Sequence, residues 1–374
     1  MPRFRRARAL QVHWQDGDLI IENFVSRVAV SAAPVTLTVL SAFDDWRSGG
    51  SVASELGEWS RASIARAIRE LVAHSLLLTE GSEAARLDEQ VSTTWKHWRP
   101  AASFHFSTKD APFASPRQWA RIAPTFLAES PQPGLVKTYP GHPKVSLPDA
   151  GEPDSEFLRV LLARKTHREF SSQAMPLGSL ATLLRYTWGA VDMVHSPNFG
   201  PLLRKTSPSG GARHPAEVYV AALKVDGLRA GLYHYNHQDH VLERLRAGPM
   251  RDVVLRQSLG QQHVGNACAV CYMTAFLPRS MYKYRAPRAY RTVSLETGHL
   301  AQTFCLVATW LGLAPFTTAA LVDTDIERSL GIDGVEETIL YIAGVGMPKR
   351  IRAKSPAAGS RPRASAGRKR RPRS

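Results

Sequence analysis

Apolar residues first recur at helical spacing as Val35, Val39, Phe43 and Trp46, then as Ile64, Ile68, Leu71 and Val72. Each set predicts a helix with one buried stripe. Ser60 precedes the second as an N-cap, and "SVASELGEWS" between them predicts a short helix and turn. Beyond "LVAHSLLLTEG" a tight turn and a short strand are expected. Residues 91–150 lose the period and are rich in proline, which predicts a long connector with at most a short helix near Trp119. From 151 to 350 alternation and helical periods return. Helices are predicted over "DSEFLRVLLAR", "LGSLATLLRYTWG", 249–259 and 293–311. Strands are predicted after the loop 196–215, at "GLYHYN" and "HVLERL", over 267–276 and at "ETILYIAGVG", with Asp226-Gly227 as a hairpin turn. Strands joined mainly by hairpins, with long helices packed on them, predict an α+β fold.

The chain thus divides into a basic segment and strand (1–34), a winged-helix-like domain (35–90), the connector (91–150), the main domain (151–350) and a tail (351–374). Arg61, Arg66 and Arg69 would suit phosphates if the small domain bound DNA. A fold of this kind also binds peptides along its wing. Net charge is +16, but the tail carries nine Lys or Arg and no acid, so that the remainder is +7. Arg, Pro, Ala, Gly and Ser bury too little surface to fold, and the tail is read as a disordered, solvated appendage rather than a nucleic-acid arm. Cys268, Cys271 and Cys305 are too few for a disulfide framework. The first two would point to opposite faces of one strand, so all three are read as packing residues with no metal site. The basic N-terminus lacks the apolar stretch of a signal peptide. Residues 297–322 carry no charge but include Gln302, Gly312 and Pro315, too polar and broken for a membrane span. A cytoplasmic protein is expected.

Two segments carry candidate chemistry. "RKTHREF" gathers Arg164, Lys165, Thr166 and Arg168, cations and a hydroxyl suited to a phosphate; a solvated basic surface is the alternative. "TSPSGGARHPAEVYV" sets Pro208, Ser209, Gly210 and Gly211 at the mouth of a strand, where small residues let a flat or phosphorylated ligand approach the backbone; an ordinary turn is the alternative. No G-x-G-x-x-G follows a strand and no P-loop pattern occurs. Glu296, His299 and Thr303 share one facet of an apolar helix, with His299 expected as a buried hydrogen-bonding residue.

The stretches "ARKTHREFSSQAMPLGSLATLLRYTWG", "SPSGGARHPAEVYVAALKVDGLRAGLYHYNHQDHVLERL", "RSMYKYRAPRAYRTVSLETGHLAQTFCLVATWLGL" and "ERSLGIDGVEETILYIAGVGMP" together resemble the SagB-type (ThcOx-like) azoline dehydrogenases of the nitroreductase superfamily, in order and over residues 155–348. The resemblance implies a central sheet flanked by helices, a homodimer, and FMN bound at the dimer interface. It implies oxidation of thiazolines or oxazolines to azoles in a ribosomally made precursor peptide, beside a cyclodehydratase. Pro208, Ser209, Gly210 and Gly211 would then lie against the flavin ring. Arg164, Thr166 and Arg168 would hold its phosphate, with Lys349 and Arg350 closing that site. Ala319 and Ala320 stand where relatives often carry Gly-Ala, a departure that could tighten the space beside the flavin. Lys283 and Tyr284 match the Lys-Tyr pair to which proton removal is assigned. Arg279, Arg285, Arg288 and Arg291 would be the cations that favour a neutral lysine. The small N-terminal domain resembles the peptide-recognition elements of such systems. Two other readings stay open: an NAD(P)H-dependent oxidoreductase of the same fold acting on a small molecule, and a winged-helix DNA-binding regulator with a flavin sensor domain.

Overall fold

The computed structural model describes residues 2–114, 116–129, 137, 143–148 and 155–349; Arg350 and the tail 351–374 lie outside them. The main domain is built on a six-stranded sheet, antiparallel throughout. In spatial order its strands are Val241–Ala247, Gly231–Asn236, Ala216–Ala222, Ala269–Phe276, Glu337–Gly346 and Ala314–Thr318. Strand Ala216–Ala222 is buried along its whole length. Val218 and Val220 point to one layer, with Leu183, Leu184 and Trp188 of helix Leu177–Trp188 and Leu300, Phe304 and Ala308 of helix Ala289–Trp310. Tyr219 and Ala221 point to the other, with Val254, Ile326 and Leu330 from the helices behind the sheet. A strand covered on both faces reads as a continuous apolar run rather than an alternating one.

The cysteines depart from expectation. Cys268 and Cys271 belong to the same core layer, because Cys268 precedes strand Ala269–Phe276 and escapes its alternation. All three thiols are buried and free.

The N-terminal unit closes differently from the expected one. Its three-stranded sheet takes the strand Arg3–Arg6 between Arg47–Ser48 and Leu77–Thr79. No second wing strand follows Gly81. Residues Glu83–Thr94 form a helix there, because the Ser82 hydroxyl accepts from the Ala85 amide (3.1 Å). On that helix the buried Asp88 accepts from the Arg5 guanidinium (2.9 Å) and from the Arg8 and Ala9 amides. Residues 10–31 add a separate meander of three strands.

The described part of the connector holds more helix than its prolines suggested. Pro100 opens helix Arg99–Ser107, a position where the missing N–H costs no hydrogen bond. Trp95 and Trp98 are 1% and 0% exposed and join Phe24, Phe106, Leu277 and Val293 in one cluster. Helix Pro116–Glu129 carries Trp119 and runs 14 residues, longer than expected.

Candidate functional site

The small-residue loop is fixed by the central helix. Ser207 shares a hydroxyl hydrogen bond with Thr303 (2.7 Å), the Pro208 carbonyl accepts from the His299 ring (3.2 Å), and the Ser209 hydroxyl donates to the Glu296 carboxylate. The facet at i, i+3 and i+7 therefore clamps three consecutive loop residues. His299 does hydrogen-bond, but from an exposed position on the helix surface rather than a buried one, since its partner is the loop and not the core. The Ser209 oxygen also accepts from the His214 amide (2.9 Å). Glu296 is 3% exposed, and burial raises its carboxyl above the usual range, with Ser209 and Lys205 opposing.

Held this way, Gly211 sits at φ +60° directly against Lys283 and Tyr284. A β-carbon there would fall 2.6 Å from Lys283 Nζ and in collision with the Tyr284 hydroxyl. Only glycine accepts both the dihedral and the space. Lys283 and Tyr284 end the short helix Pro278–Lys283. The Lys283 ammonium also lies 4.6 Å from the Phe199 ring centre, over the tip of the hairpin Ala190–Lys205. The Tyr284 carbonyl accepts from the buried Trp98 indole (2.7 Å), so a residue of the connector helps to set this pair. Sequence reasoning missed Trp98. Of the four arginines expected around Lys283, Arg279 is bound to Glu217 (2.5 Å) and to the His214 carbonyl (3.0 Å), while Arg285, Arg288 and Arg291 are exposed.

A second lysine was also missed. Lys205 ends a hairpin strand and is 8% exposed. Burial pulls its pKa down to about 8, against the pull of Glu217 and with help from Arg279. Burial and the nearby Lys205 bring His214 to about 4, and His237 likewise. Burial alone would raise the Glu217 carboxyl, but the His234 hydrogen bond and the Arg279 charge outweigh it and hold it at about 2. Nothing in the local sequence marked this set, since its members come from four separate segments.

The phosphate candidates stand elsewhere. The His167 amide donates to the Pro315 carbonyl (2.9 Å), which ties "RKTHREF" to the edge strand Ala314–Thr318. Pro315 pairs with Val345, Val345 with Ala269, and Ala269 with Ala222. The Gly210–Gly211 loop enters at the other end, by Ala216. Three strand spacings across and six residues along separate the two, roughly 25 Å in all. Ala319 and Ala320 follow the edge strand, with the Ala320 carbonyl accepting from Gln261 (3.2 Å), and so belong to the Arg164 side. Within that side the cations do not converge. Arg164 acts on the Cys305 thiol in one layer, and Arg168 on His263 in the other. Arg168 and Lys349 line a cavity of about 480 Å³ with Lys224 and Arg251, and Lys349 pairs with Glu169 (3.0 Å). Among the described residues neither Arg164 nor Arg168 has a carboxylate partner, which leaves both free for an anion. Thr166 is exposed beside them.

Comparison with known proteins follows this geometry. The model of the nitroreductase family matches residues 161–347. The trifolitoxin-processing protein TfxB of Rhizobium leguminosarum is 32% identical over 170 residues, 44% of this chain and 46% of its own length. MJ1384 of Methanocaldococcus jannaschii, named as a candidate nitroreductase, is 32% identical over 189 residues, 50% of this chain and 90% of its own. The chain thus spans about half the length of TfxB. Among solved structures, the Escherichia coli microcin synthetase McbBCD complex with truncated pro-MccB17 bound matches with a TM-score of 0.51 and 19% identity, over 72% of this chain and 99% of the matched one. That likeness is one of fold. No helix among the described residues is long and apolar enough to cross a membrane.

Proposed function

The chain belongs to the nitroreductase family, and from that premise we propose that it is an FMN-dependent dehydrogenase that oxidises an azoline of a ribosomally made peptide to the azole. The observation that carries the reading is the contact of Lys283 and Tyr284 with Gly211 of the clamped loop. Removing two hydrogens from an azoline requires a hydride acceptor and a base for the proton on the adjacent carbon. FMN, when bound, supplies the hydride acceptor. The chain supplies the rest. Lys283 or Tyr284 takes the proton, and Pro208, Ser209, Gly210 and Gly211 offer a bare backbone surface on which a flat ring can lie. Phe199 lies against the Lys283 ammonium. The left-handed Gly211 and the unpaired guanidinium groups of Arg164 and Arg168 fit such a cofactor.

A single copy of the chain holds its loop and its phosphate candidates at opposite corners of one sheet, further apart than one flavin comfortably bridges. A homodimer in which one copy lends the loop and the other the Arg164–Arg168 segment and Ala319–Ala320 meets the requirement. The exposed apolar side chains of helix Glu156–Ala163, with Phe157 at 64% and Leu162 at 70%, support such a partner. The peptide-processing name of TfxB and the pro-MccB17 bound to the McbBCD complex support a precursor peptide as substrate and a cyclodehydratase as partner. The winged-helix-like unit is then a peptide-recognition element.

The test is turnover per bound FMN on a thiazoline peptide. Lys283→Ala and Tyr284→Phe should keep FMN yet lose about 10²–10⁴-fold of the oxidation. Near-normal turnover in both, or protein that binds no FMN, defeats the reading.

A further inference from the structure

Beside the clamped loop lies a second cavity, of about 460 Å³, whose wall includes Leu203, Arg213, His214, His237, Arg279 and Tyr282. Arg279 and Tyr282 stand on the same short helix as Lys283, so the cavity adjoins the Lys283–Tyr284 pair. Its polar groups are unevenly satisfied. Arg279 is fully engaged by Glu217 and the His214 carbonyl. Arg213 is not: its Nε donates to the Gly211 carbonyl (3.2 Å) and its guanidinium lies over Phe199 (5.3 Å), with no carboxylate partner among the described residues. His237 stands on the same wall.

The charges facing the space are unbalanced as well. Its lining holds the cations Arg213 and Arg279 and no carboxylate, and the nearby Glu217 is already bound by His234 and Arg279. His214 presents Nε2 to the Leu203 carbonyl (2.9 Å), so its proton is placed there. Both imidazoles are neutral near pH 7, first through burial and then through Lys205. A wall with a free guanidinium, a second cation and no carboxylate is complementary to an anion such as a carboxylate.

We propose that this cavity is a substrate subsite for a carboxylate carried close to the reacting ring, gripped by Arg213. The inference rests on the peptide-dehydrogenase reading and adds to it a selectivity: an acidic residue, or a free chain terminus, beside the azoline. It also gives a reason for Arg213 to follow directly on the loop. The backbone that would lie against the flavin and the side chain that would hold the substrate are then fixed by one clamp.

Blocked thiazoline hexapeptides that differ only as Glu or Gln beside the ring, and a Gln peptide with a free or an amidated C-terminus, serve as probes on the full-length, FMN-loaded protein. Calorimetric affinity and turnover are both recorded. A side-chain carboxylate predicts about tenfold tighter binding of the Glu peptide. A chain-terminal one predicts the same preference for the free over the amidated end. Either preference should fall toward one in Arg213→Gln and be partly kept in Arg213→Lys, at equal FMN content. No preference in either pair, or one that survives Arg213→Gln, overturns the subsite. A preference in binding without oxidation of any peptide upholds the subsite and defeats the dehydrogenase reading. Oxidation without preference does the reverse.

Discussion

Replacing Gly211 by alanine tests the site at its tightest point. The new methyl meets two penalties. At φ +60° an L-residue costs about 1–2 kcal/mol relative to glycine. The methyl also lies 2.6 Å from Lys283 Nζ, 3.2 Å from Tyr284 Cζ and in collision with the Tyr284 hydroxyl. The lysine is a flexible end and can swing away. The tyrosine ring is less free, since it packs against the Trp95–Trp98 cluster, so the pair must shift by some tenths of an ångström to about one. Misplacement by that much costs a reacting group up to about 10²-fold. Gly260→Ala is the control. It shares a positive φ of +75°, and nothing lies within 4 Å of its added methyl. Gly211→Ala should melt lower by at least as much as Gly260→Ala, about 2–4 °C for each kcal/mol in a domain of this size. Gly211→Ala alone should lose turnover per bound FMN on a thiazoline peptide, by about 10–100-fold. Equal melting losses with equal turnover in the two variants would refute the claim that the Gly211 contact sets the Lys283–Tyr284 pair.

Glu296→Ala removes the acceptor of the half-buried Ser209 hydroxyl, so loop order and FMN retention should fall. Glu296→Gln keeps an acceptor and should restore much of both, as read by FMN per chain after gel filtration. The buried histidines predict acid lability. Burial brings His105 to about 3 and His214 and His237 to about 4, against an ordinary 6.5. A depressed histidine means that the unfolded chain binds the extra proton. The stability these groups allow is therefore complete above pH 6.5 and declines as pH falls through 6 toward 4. Glu217, held at about 2, acts in the same direction from about pH 4.5 downward. Chemical denaturation at pH 7 and pH 5 should show the loss, and His105→Asn should lessen it if the fold is kept; a midpoint independent of pH across that range would contradict these shifts.

Local order along the chain settled much of this protein. The strands and helices of the main domain follow from runs such as "AEVYVAA" and "ETILYIAGVG", whose apolar content leaves few other places to go. The bare loop and the facet Glu296, His299 and Thr303 were visible because each is a short pattern on one element, and the Lys283–Tyr284 pair was visible through the family resemblance. Elements held by distant partners were not visible. Arg3–Arg6 enters a sheet with Leu77–Thr79 across seventy intervening residues, and no period announces that pairing. Pro100 looked like a breaker until the helix it opens was seen to bury Trp95 and Trp98. Lys205, a cation in an unremarkable strand, acquired its depressed pKa only when the fold buried it and set Arg279 nearby, against the opposing pull of Glu217 and Glu296. Burial and charge pairing are sums over space. A sequence states which groups exist, and only tertiary contact decides which of them lose their water and which remain free to bind.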